Sequence, residues 1–191
     1  MSHAETPALV LAVHRGEAQS VDRLVTTYQD AVFTYACRLL QNRFDAQEVT
    51  QDTFIRAYET LINRYDEDRC RGLLLKPWLF RIARNLASNR RRARRRGHED
   101  GPPVPNDLAD RRPDADDLLA QTDDRRLLDL ALNRLDRSSR ELIVMRFIEE
   151  MSYTDMVAVV GSTDAAIRGK VFRGLKKLRT IMDEQGDDHD V

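Results

Sequence analysis

A run of positive charge between residues 76 and 96 is the segment whose composition most directly implies a chemistry. It carries nine lysines and arginines and no acidic residue. Such a density of cations binds polyanions, chiefly nucleic acid, because each neutralised phosphate releases counterions. A solvated helix face has a similar composition, but here Leu79, Ile82, Ala83 and Leu86 recur at helical spacing. The run therefore predicts a helix that buries one side and presents arginines on the other.

A second basic region lies near the C-terminus, where residues 125–182 hold twelve lysines and arginines against seven acidic residues. Ser152 and Asp155 form a capping-box pattern before a short apolar helix through Val160. A glycine-containing turn at residues 161–163 separates that helix from a basic final helix. A short helix, a turn and a basic helix form a helix-turn-helix, which places its second helix in the major groove of DNA. An ordinary helical hairpin is the alternative.

The final helix has a predicted buried face and a basic remainder. Its apolar residues at helical spacing are Ile167, Val171, Leu175, Leu178 and Met182. Its basic residues are Arg168, Lys170, Arg173, Lys176, Lys177 and Arg179. Gly169 and Gly174 lie inside this helix, and each lowers its stability by about 1 kcal/mol relative to alanine.

Enzymatic chemistry has little support in the sequence. The histidines lie near the termini or in a proline-containing segment, at His3, His14, His98 and His189. We find no Ser/His/Asp order, phosphate-binding loop or metal-ligand spacing. The two cysteines, Cys37 and Cys70, match no zinc pattern and fit a reducing compartment. The sequence predicts a protein that is not an enzyme and uses no cofactor or metal.

Length and composition limit the fold class. A chain of 191 residues with 41% apolar and 33% charged residues forms one large or two small folded domains. No run approaches the roughly 20 apolar residues of a membrane-spanning helix. Only eight glycines and six prolines occur, which favours an all-α protein. Residues 1–7 show no signal-peptide pattern, so we expect a cytoplasmic location without membrane insertion.

The first half of the chain contains further helical patterns. Apolar residues at spacings of three and four predict a long amphipathic helix over residues 21–39. Asp45, followed three residues later by Glu48, predicts the N-cap and capping box of the next helix. The apolar face of that helix comprises Phe54, Ala57, Tyr58 and Leu61. Residues 65–77 predict a loop, and Pro77 suits the first turn of the arginine-bearing helix.

A linker divides the sequence into two helical domains. Residues 97–117 lack apolar periodicity and contain several prolines and acidic residues, so they predict a flexible spacer. The predicted organisation is an N-terminal domain over 1–96, this acidic linker, a helix-turn-helix domain over 118–182 and an acidic tail over 183–191. The tail holds five acidic residues and no lysine or arginine.

From about residue 18 to residue 182, these segments together resemble the extracytoplasmic-function class of bacterial sigma factors. Residues 45–58 resemble the helix with which the family binds core RNA polymerase. Residues 78–85 resemble its promoter-melting helix, and residues 141–179 resemble its C-terminal helix-turn-helix domain. The resemblance implies an alternative-type sigma factor that binds core polymerase, melts the −10 element and reads the −35 element of promoter DNA.

The resemblance also implies roles for individual residues. The polymerase-binding candidates are Asp45, Glu48, Gln51 and Asp52. The −10 candidates are Lys76, Trp78, Arg81, Arg84, Asn85 and Ser88. The −35 candidates are Arg168, Lys170, Phe172 and Arg173. Helix capping is an equal interpretation for Asp45 and Glu48, and Trp78 belongs either to the core or to the DNA-facing surface.

Four departures from the family pattern concern promoter recognition. The segment 65–77 is longer than usual, and Leu75 stands where phenylalanine is common, so base capture at −10 is expected to differ from that of the family. Ala166 and Gly169 replace a common threonine and serine in the reading helix, so the −35 sequence preference is expected to differ from that of the family. An anti-sigma protein is a further partner that the resemblance implies.

A free-standing helix-turn-helix regulator is the main alternative function. Such a regulator binds duplex DNA without polymerase and needs only the C-terminal half. It has no need for an acidic helix at 45–58 joined to an arginine helix at 78–96. This pairing favours the polymerase subunit.

Overall fold

A computed structural model of the chain describes residues 5–97 and 127–187. The chain divides into two compact units, so the N-terminal and C-terminal helices are described separately. The predicted linker lies outside the described residues except at Gly97, and the predicted tail lies outside them beyond residue 187. All regular structure in the two described ranges is helical, which confirms the all-α prediction.

Within residues 5–97, the N-terminal unit contains five helices. They are α1 (Glu5–His14), α2 (Ser20–Leu40), α3 (Arg43–Asn63), α4 (Glu67–Arg71) and α5 (Leu75–Gly97). The three long helices pack on one another around a core that includes Leu24, Val32, Tyr35, Ala57, Leu61 and Leu79. The Tyr35 and Phe80 rings lie 4.9 Å apart between centroids, which joins α2 to α5 at the centre of this core. The apolar spacing predicted for α2 is thus its buried face.

The start of α3 differs from the prediction. The N-cap is Asn42, whose side-chain oxygen accepts a hydrogen bond from the Asp45 backbone N–H at 2.9 Å. The prediction that Asp45 is the N-cap is therefore wrong, and Asp45 lies inside the first turn of α3. Asparagine caps a helix as well as aspartate does, so the helix starts one turn earlier and the Asp45 carboxylate is free for other contacts.

The predicted loop over 65–77 contains a helix. Asp66 caps α4, its carboxylate accepting from the Arg69 backbone N–H at 2.8 Å. Helix α5 begins at Leu75, two residues before Pro77, and the Trp78 N–H donates to the Leu74 carbonyl at 3.0 Å. Pro77 still fits, because the first N–H groups of a helix have no intrahelical acceptor.

Helix α1 was absent from the sequence prediction. It buries Leu9, Val10 and Val13 against the other helices of the unit. Its C-terminal end is fixed by His14, whose Nδ1 lies 2.7 Å from the Leu61 carbonyl oxygen. The Arg15 guanidinium, just beyond the helix, pairs with a Glu67 carboxylate oxygen at 2.9 Å. Helix α1 therefore supports both α3 and α4.

The C-terminal unit begins, among the described residues, with a helix over 127–133 that we label α6. It continues with α7 (Arg137–Ile143), one π-helical turn (Val144–Ile148), α8 (Tyr153–Val160) and α9 (Asp164–Asp187). Its core includes Ala131, Leu132, Leu135, Ile143, Leu178 and Ile181. The helix predicted from about residue 138 thus exists, but its second half is π-helical.

The predicted capping box and turn of the C-terminal unit are confirmed. The Ser152 hydroxyl oxygen accepts from the Asp155 N–H at 3.0 Å and donates to the Asp155 carboxylate at 2.8 Å. Gly161 ends α8 with a φ of 71°, a left-handed conformation that glycine adopts without strain. The Thr163 hydroxyl oxygen then accepts from the Ala166 N–H at 3.3 Å. These caps fix the short helix, the turn and the start of α9.

The buried face of α9 is rotated from the predicted one. Leu175 and Met182, predicted to be buried, are exposed, whereas Ile181 is buried. Gly174 takes the central place, because a Cβ built there would lie 3.0 Å from Ile143 Cδ1 and 3.2 Å from Ser139 Cβ. Since glycine has no side chain, α9 approaches α7 closely at this point, and this approach selects the face.

The two glycines of α9 should respond oppositely to substitution. A Gly174→Val change forces a side chain into the α7 contact, and we expect it to destabilise the unit by about 2 kcal/mol. A Cβ at Gly169 meets only the Arg173 Nη1 at 3.4 Å, so Gly169→Ala should stabilise the unit by about 0.5–1 kcal/mol. Urea denaturation of both variants measures the difference. A stable Gly174→Val variant would contradict the close approach.

Asp136 caps α7 and makes its stability depend on pH. A hydrogen bond with the Ser139 side chain, aided by the Ser138 and Ser139 backbone N–H groups, lowers the pKa of the Asp136 carboxyl. Asparagine caps equally well but is uncharged, so Asp136→Asn should cost about 0.5 kcal/mol at neutral pH.

The cost of Asp136→Asn should itself vary with pH. A carboxyl with a lowered folded-state pKa stabilises the protein above its unfolded value of about 3.9 and loses this effect as pH falls through the folded value. The stability difference between the two proteins should therefore shrink between about pH 5 and pH 2. Urea midpoints of the unaltered chain and of Asp136→Asn, measured across this pH range, test the prediction. A stability difference that stays constant with pH would contradict it.

Among the described residues, no helix is both long enough and apolar enough to cross a membrane.

Candidate nucleic-acid interface

One face of α5 forms a polar stripe opposite the core. Its members follow one another at intervals of three and four residues, and they are Arg81, Asn85, Ser88, Arg92 and Arg96. All are exposed except Ser88, which is half-buried. The opposite side of the helix buries Leu79, Ala83 and Leu86. The helix thus has the two faces that its sequence predicts, with cations spaced along the outer one.

The predicted −10 residues do not all lie on this stripe. Arg81, Asn85 and Ser88 are members, whereas Arg84 is half-buried beside it. Lys76 is also half-buried, with its ammonium 5.7 Å from the centroid of the Phe80 ring. Trp78 is buried, and its ring centroid lies 5.7 Å from that of Tyr65.

Three exposed residues near the stripe were missed by the sequence prediction. Arg92 and Arg96 continue its helical spacing, and their guanidinium groups contact the Ser88 hydroxyl at 3.5 Å and the Arg92 carbonyl at 3.4 Å. The four-residue spacing itself could have identified them. Leu74 is exposed directly before α5, whereas its neighbour Leu75 is buried. No sequence pattern distinguishes these two leucines.

The predicted polymerase-binding residues separate into two groups. Asp45 accepts from Arg90 Nε and Arg94 Nη1, both at 2.9 Å, and its side chain is only 13% exposed. Glu48 also pairs with Arg90. The hydrogen bond with Asp45 raises the pKa of the Arg90 guanidinium. Gln51 and Asp52, by contrast, are exposed on the outer side of α3.

The outer side of α3 also carries large apolar residues. The prediction missed Phe44 and Ile55, and it assigned Tyr58 to the apolar face of the buried Phe54, Ala57 and Leu61, whereas Tyr58 is exposed. Phe44, Ile55 and Tyr58 are 77%, 47% and 41% exposed. By helical spacing they share a face with Gln51 and Asp52. We call these five residues the α3 outer face. An exposed apolar cluster with acidic neighbours is typical of a protein-binding surface.

Arg168 is held in place at the start of α9. Its Nε donates to the Asp164 carboxylate at 2.5 Å, and its guanidinium carbon lies 4.0 Å from the centroid of the Tyr153 ring. The hydrogen bond with Asp164 raises the pKa of Arg168. The guanidinium carbon of Arg146 lies 5.1 Å from the same ring centroid. Contacts of this kind orient a planar cation while leaving it exposed.

The remaining −35 candidates lie on two sides of α9. Phe172 is 72% exposed, and Arg173 is exposed beside it. Lys170 instead turns toward α7, where its ammonium donates to the Ser138 hydroxyl oxygen at 2.7 Å. The helix therefore groups Arg168, Phe172 and Arg173 on its outer side and separates Lys170 from them.

In the part of the chain that the structure describes, no group of three or more histidine, cysteine or acidic side chains is arranged to hold a metal ion.

Both helical units match known protein families. A model of sigma-70 region 2 matches residues 24–97, and a model of sigma-70, region 4 matches residues 125–178. The first match includes the α3 outer face and α5, and the second includes α8 and most of α9. Together they contain every surface described above.

Similar proteins carry the same family description. The ECF RNA polymerase sigma factor SigE of Mycolicibacterium smegmatis is 35% identical over 167 residues, which cover 85% of this chain. The ECF RNA polymerase sigma factor BldN of Streptomyces coelicolor is 28% identical over 176 residues, which cover 91% of this chain. The chain spans less than two thirds of these relatives, 62% of SigE and 64% of BldN.

A solved structure shares the fold over nearly the whole chain. The structure of CnrH in complex with the cytosolic domain of CnrY matches with a TM-score of 0.68 at 26% identity. The match covers 94% of this chain and 97% of that chain.

Proposed function

The chain belongs to the extracytoplasmic-function sigma factors of bacterial RNA polymerase, and we propose that it binds core RNA polymerase and directs initiation at specific promoters. The observation that carries the proposal is the presence of one exposed basic helix in each unit, α5 and α9, together with the α3 outer face. A protein that only bound duplex DNA would need α9 alone. We therefore prefer a polymerase subunit to a free-standing regulator.

The α5 stripe is the proposed −10 surface. Its arginines would contact phosphates of the two strands, and its shorter polar residues, Asn85 and Ser88, would approach the bases. Leu74 offers exposed apolar surface on which an unstacked base could rest. In this proposal Lys76 and Arg84 add positive charge at the margin of the stripe. Trp78 supports the surface from the core.

The first turns of α9 are the proposed −35 surface. Arg168 and Arg173 would donate to guanine or phosphate oxygens, and Phe172 would contact the methyl group of thymine. Gly169 lies between them by helical spacing, and its lack of a side chain lets the backbone approach the base edges. Lys170, paired with Ser138, is proposed to approach the adjacent phosphates.

The α3 outer face is the proposed polymerase-docking surface. It would bury Phe44, Ile55 and Tyr58, while Asp52 and the neighbouring Glu48 would pair with basic residues of the polymerase. Gln51 can donate and accept hydrogen bonds at the edge of the contact. Asp45, a further candidate from the sequence, is left out of this proposed surface, because its carboxylate pairs with Arg90 and Arg94 and its side chain is only 13% exposed.

Three coarser expectations accompany this proposal. The chain would act by binding and would catalyse no reaction of its own. It would act in the cytoplasm, where polymerase and promoter DNA meet. An inhibitory protein of the anti-sigma type is a further proposed partner, because the related CnrH was solved in complex with the cytosolic domain of another protein.

Run-off transcription tests the proposal directly. Purified chain is mixed with bacterial core RNA polymerase and fragments of the source genome, beside a reaction that contains core polymerase alone. We expect discrete new transcripts that depend on the chain, and their start sites define the −10 and −35 sequences. Binding to DNA fragments without binding to core polymerase would overturn the proposal and favour a free-standing regulator.

A further inference from the structure

Asp45 is engaged inside the protein rather than displayed on its surface. Each of its two carboxylate oxygens accepts a hydrogen bond from a different arginine of α5, Arg90 and Arg94, at 2.9 Å. Its backbone N–H is occupied by the Asn42 side chain. With both oxygens paired inside the chain and only 13% of its side chain exposed, Asp45 offers little surface to an external partner. The same carboxylate instead joins the start of α3 to the C-terminal half of α5.

The two arginines continue the core-facing side of α5 beyond the apolar core. Leu79, Ala83 and Leu86 are buried, and Arg90 and Arg94 follow them at helical spacing. The earlier turns of α5 pack against apolar side chains. Next to Arg90 and Arg94, α3 instead supplies the Asp45 carboxylate. The ion pairs therefore take over from apolar packing as the contact that holds the end of α5 against α3.

The DNA-facing stripe depends on this contact. Arg92 and Arg96 lie on the opposite side of the same helical turns that carry Arg90 and Arg94. If Arg90 and Arg94 are released, these last turns lose their attachment to α3, and the outward arginines lose their fixed direction. A surface that contacts two DNA strands needs side chains held in a fixed direction, because a misplaced side chain contributes little to binding or opening.

We propose that Asp45 is a positioning residue for promoter opening: by holding Arg90 and Arg94 it aligns the α5 stripe on the −10 DNA, and it does not dock to polymerase. This inference rests on the proposed function, because it assigns a role within promoter opening. It separates Asp45 from Asp52, an exposed acid on the same helix. Substitution of Asp45 should therefore slow promoter opening, whereas substitution of Asp52 should weaken polymerase binding.

The experiment compares Asp45→Asn with Asp52→Asn in the full chain. Affinity for core polymerase is measured by fluorescence anisotropy of labelled chain. Promoter opening is measured by 2-aminopurine fluorescence in the −10 element of a promoter recovered from run-off transcription. We expect Asp45→Asn to keep the polymerase affinity within about twofold and to slow opening about tenfold. Asp52→Asn should instead weaken polymerase binding, with opening restored at saturating chain concentration.

A rescue and a coupling test separate positioning from a general loss of structure. Asp45→Glu keeps the carboxylate that Asp45→Asn removes. It should therefore recover most of the rate of promoter opening. The Arg90→Gln/Arg94→Gln double variant should slow opening as Asp45→Asn does, and combining all three changes should add little. If Asp45→Asn fails to fold, the arginine double variant alone carries the comparison with Asp52→Asn.

The outcomes distinguish the two levels of inference. Loss of polymerase affinity in Asp45→Asn, matching that of Asp52→Asn, would overturn the positioning role and return Asp45 to the docking surface. Unchanged opening in Asp45→Asn would overturn it as well. If the unaltered chain neither binds core polymerase nor opens any promoter, the proposed function fails, and the positioning role fails with it.

Discussion

Replacing Arg140 by methionine is expected to lower the free energy of unfolding of the C-terminal unit by about 3–5 kcal/mol. Arg140 is 8% exposed and donates hydrogen bonds to three carbonyl oxygens. They belong to Leu132 at 2.9 Å, Asn133 at 2.9 Å and Leu135 at 3.1 Å. The Leu132 and Asn133 carbonyls lie at the end of α6, and Leu135 lies in the turn that follows the helix, where the next helical turn that would supply N–H donors is missing. Methionine fills a similar volume but removes the Arg140 donors from all three carbonyls. The Leu132 carbonyl then keeps only its hydrogen bond from the Leu135 N–H, at 3.1 Å. Losing donors at buried carbonyl oxygens is costly.

The single tryptophan of the chain allows a selective measurement. Trp78 lies in the N-terminal unit, so its fluorescence reports that unit, while circular dichroism reports the helices of both. In urea, Arg140→Met should shift part of the dichroism transition to lower concentration and leave the Trp78 transition in place. The control is Arg179→Met, at a side chain that is 85% exposed. An Arg140→Met transition matching that of the control would contradict the capping role.

The second large effect concerns the α3 outer face. An Ile55→Lys change is expected to weaken binding to core polymerase about 100-fold, or about 2.7 kcal/mol. Ile55 is 47% exposed and shares its face with Phe44 and Tyr58. Lysine would remove the central apolar contact and place a charge where desolvation is expensive. The lysine would also repel the basic polymerase residues that are proposed to pair with Asp52.

Stability and binding must be separated for Ile55→Lys. Because Ile55 is half exposed on the outer side of α3, its replacement should leave the urea midpoint of the Trp78 signal nearly unchanged. Ala18→Lys adds the same charge at an exposed position between α1 and α2 and serves as the matched control. Titration of each labelled variant with core polymerase measures the two affinities. Equal affinities for the two variants would show that docking uses another surface.

Apolar periodicity predicted the long helices because their buried contacts repeat within one element. The spacing of residues 21–39 locates α2, and the alternation of leucines and arginines locates α5. Boundaries were less certain, because Asn42 and Asp45 are both good caps and only tertiary contacts decide between them. The rotated face of α9 depends on Gly174 meeting Ile143. A residue without a side chain contributes nothing to a periodic pattern, so this contact leaves no trace in the sequence.

The candidate surfaces were predictable to the extent that they are periodic. Arg81, Asn85 and Ser88 fall on one stripe because helical spacing alone puts them there. Asp45 and its arginines are 45 and 49 residues apart in sequence, and no local rule pairs them. Lys170 illustrates the same limit, because its turn toward Ser138 follows from the packing of α7 on α9.

The interleaved faces of α9 have an evolutionary consequence. The residues that pack this 24-residue helix, such as Ile167, Val171 and Leu178, alternate with outward residues such as Phe172 and Lys176. Outward residues contribute little to folding, since surface substitutions usually change stability by less than about 0.5 kcal/mol. Duplicated copies of such a gene can therefore exchange outward residues one at a time while every intermediate stays folded. A lineage can thus acquire new promoter preferences without passing through unstable ancestors.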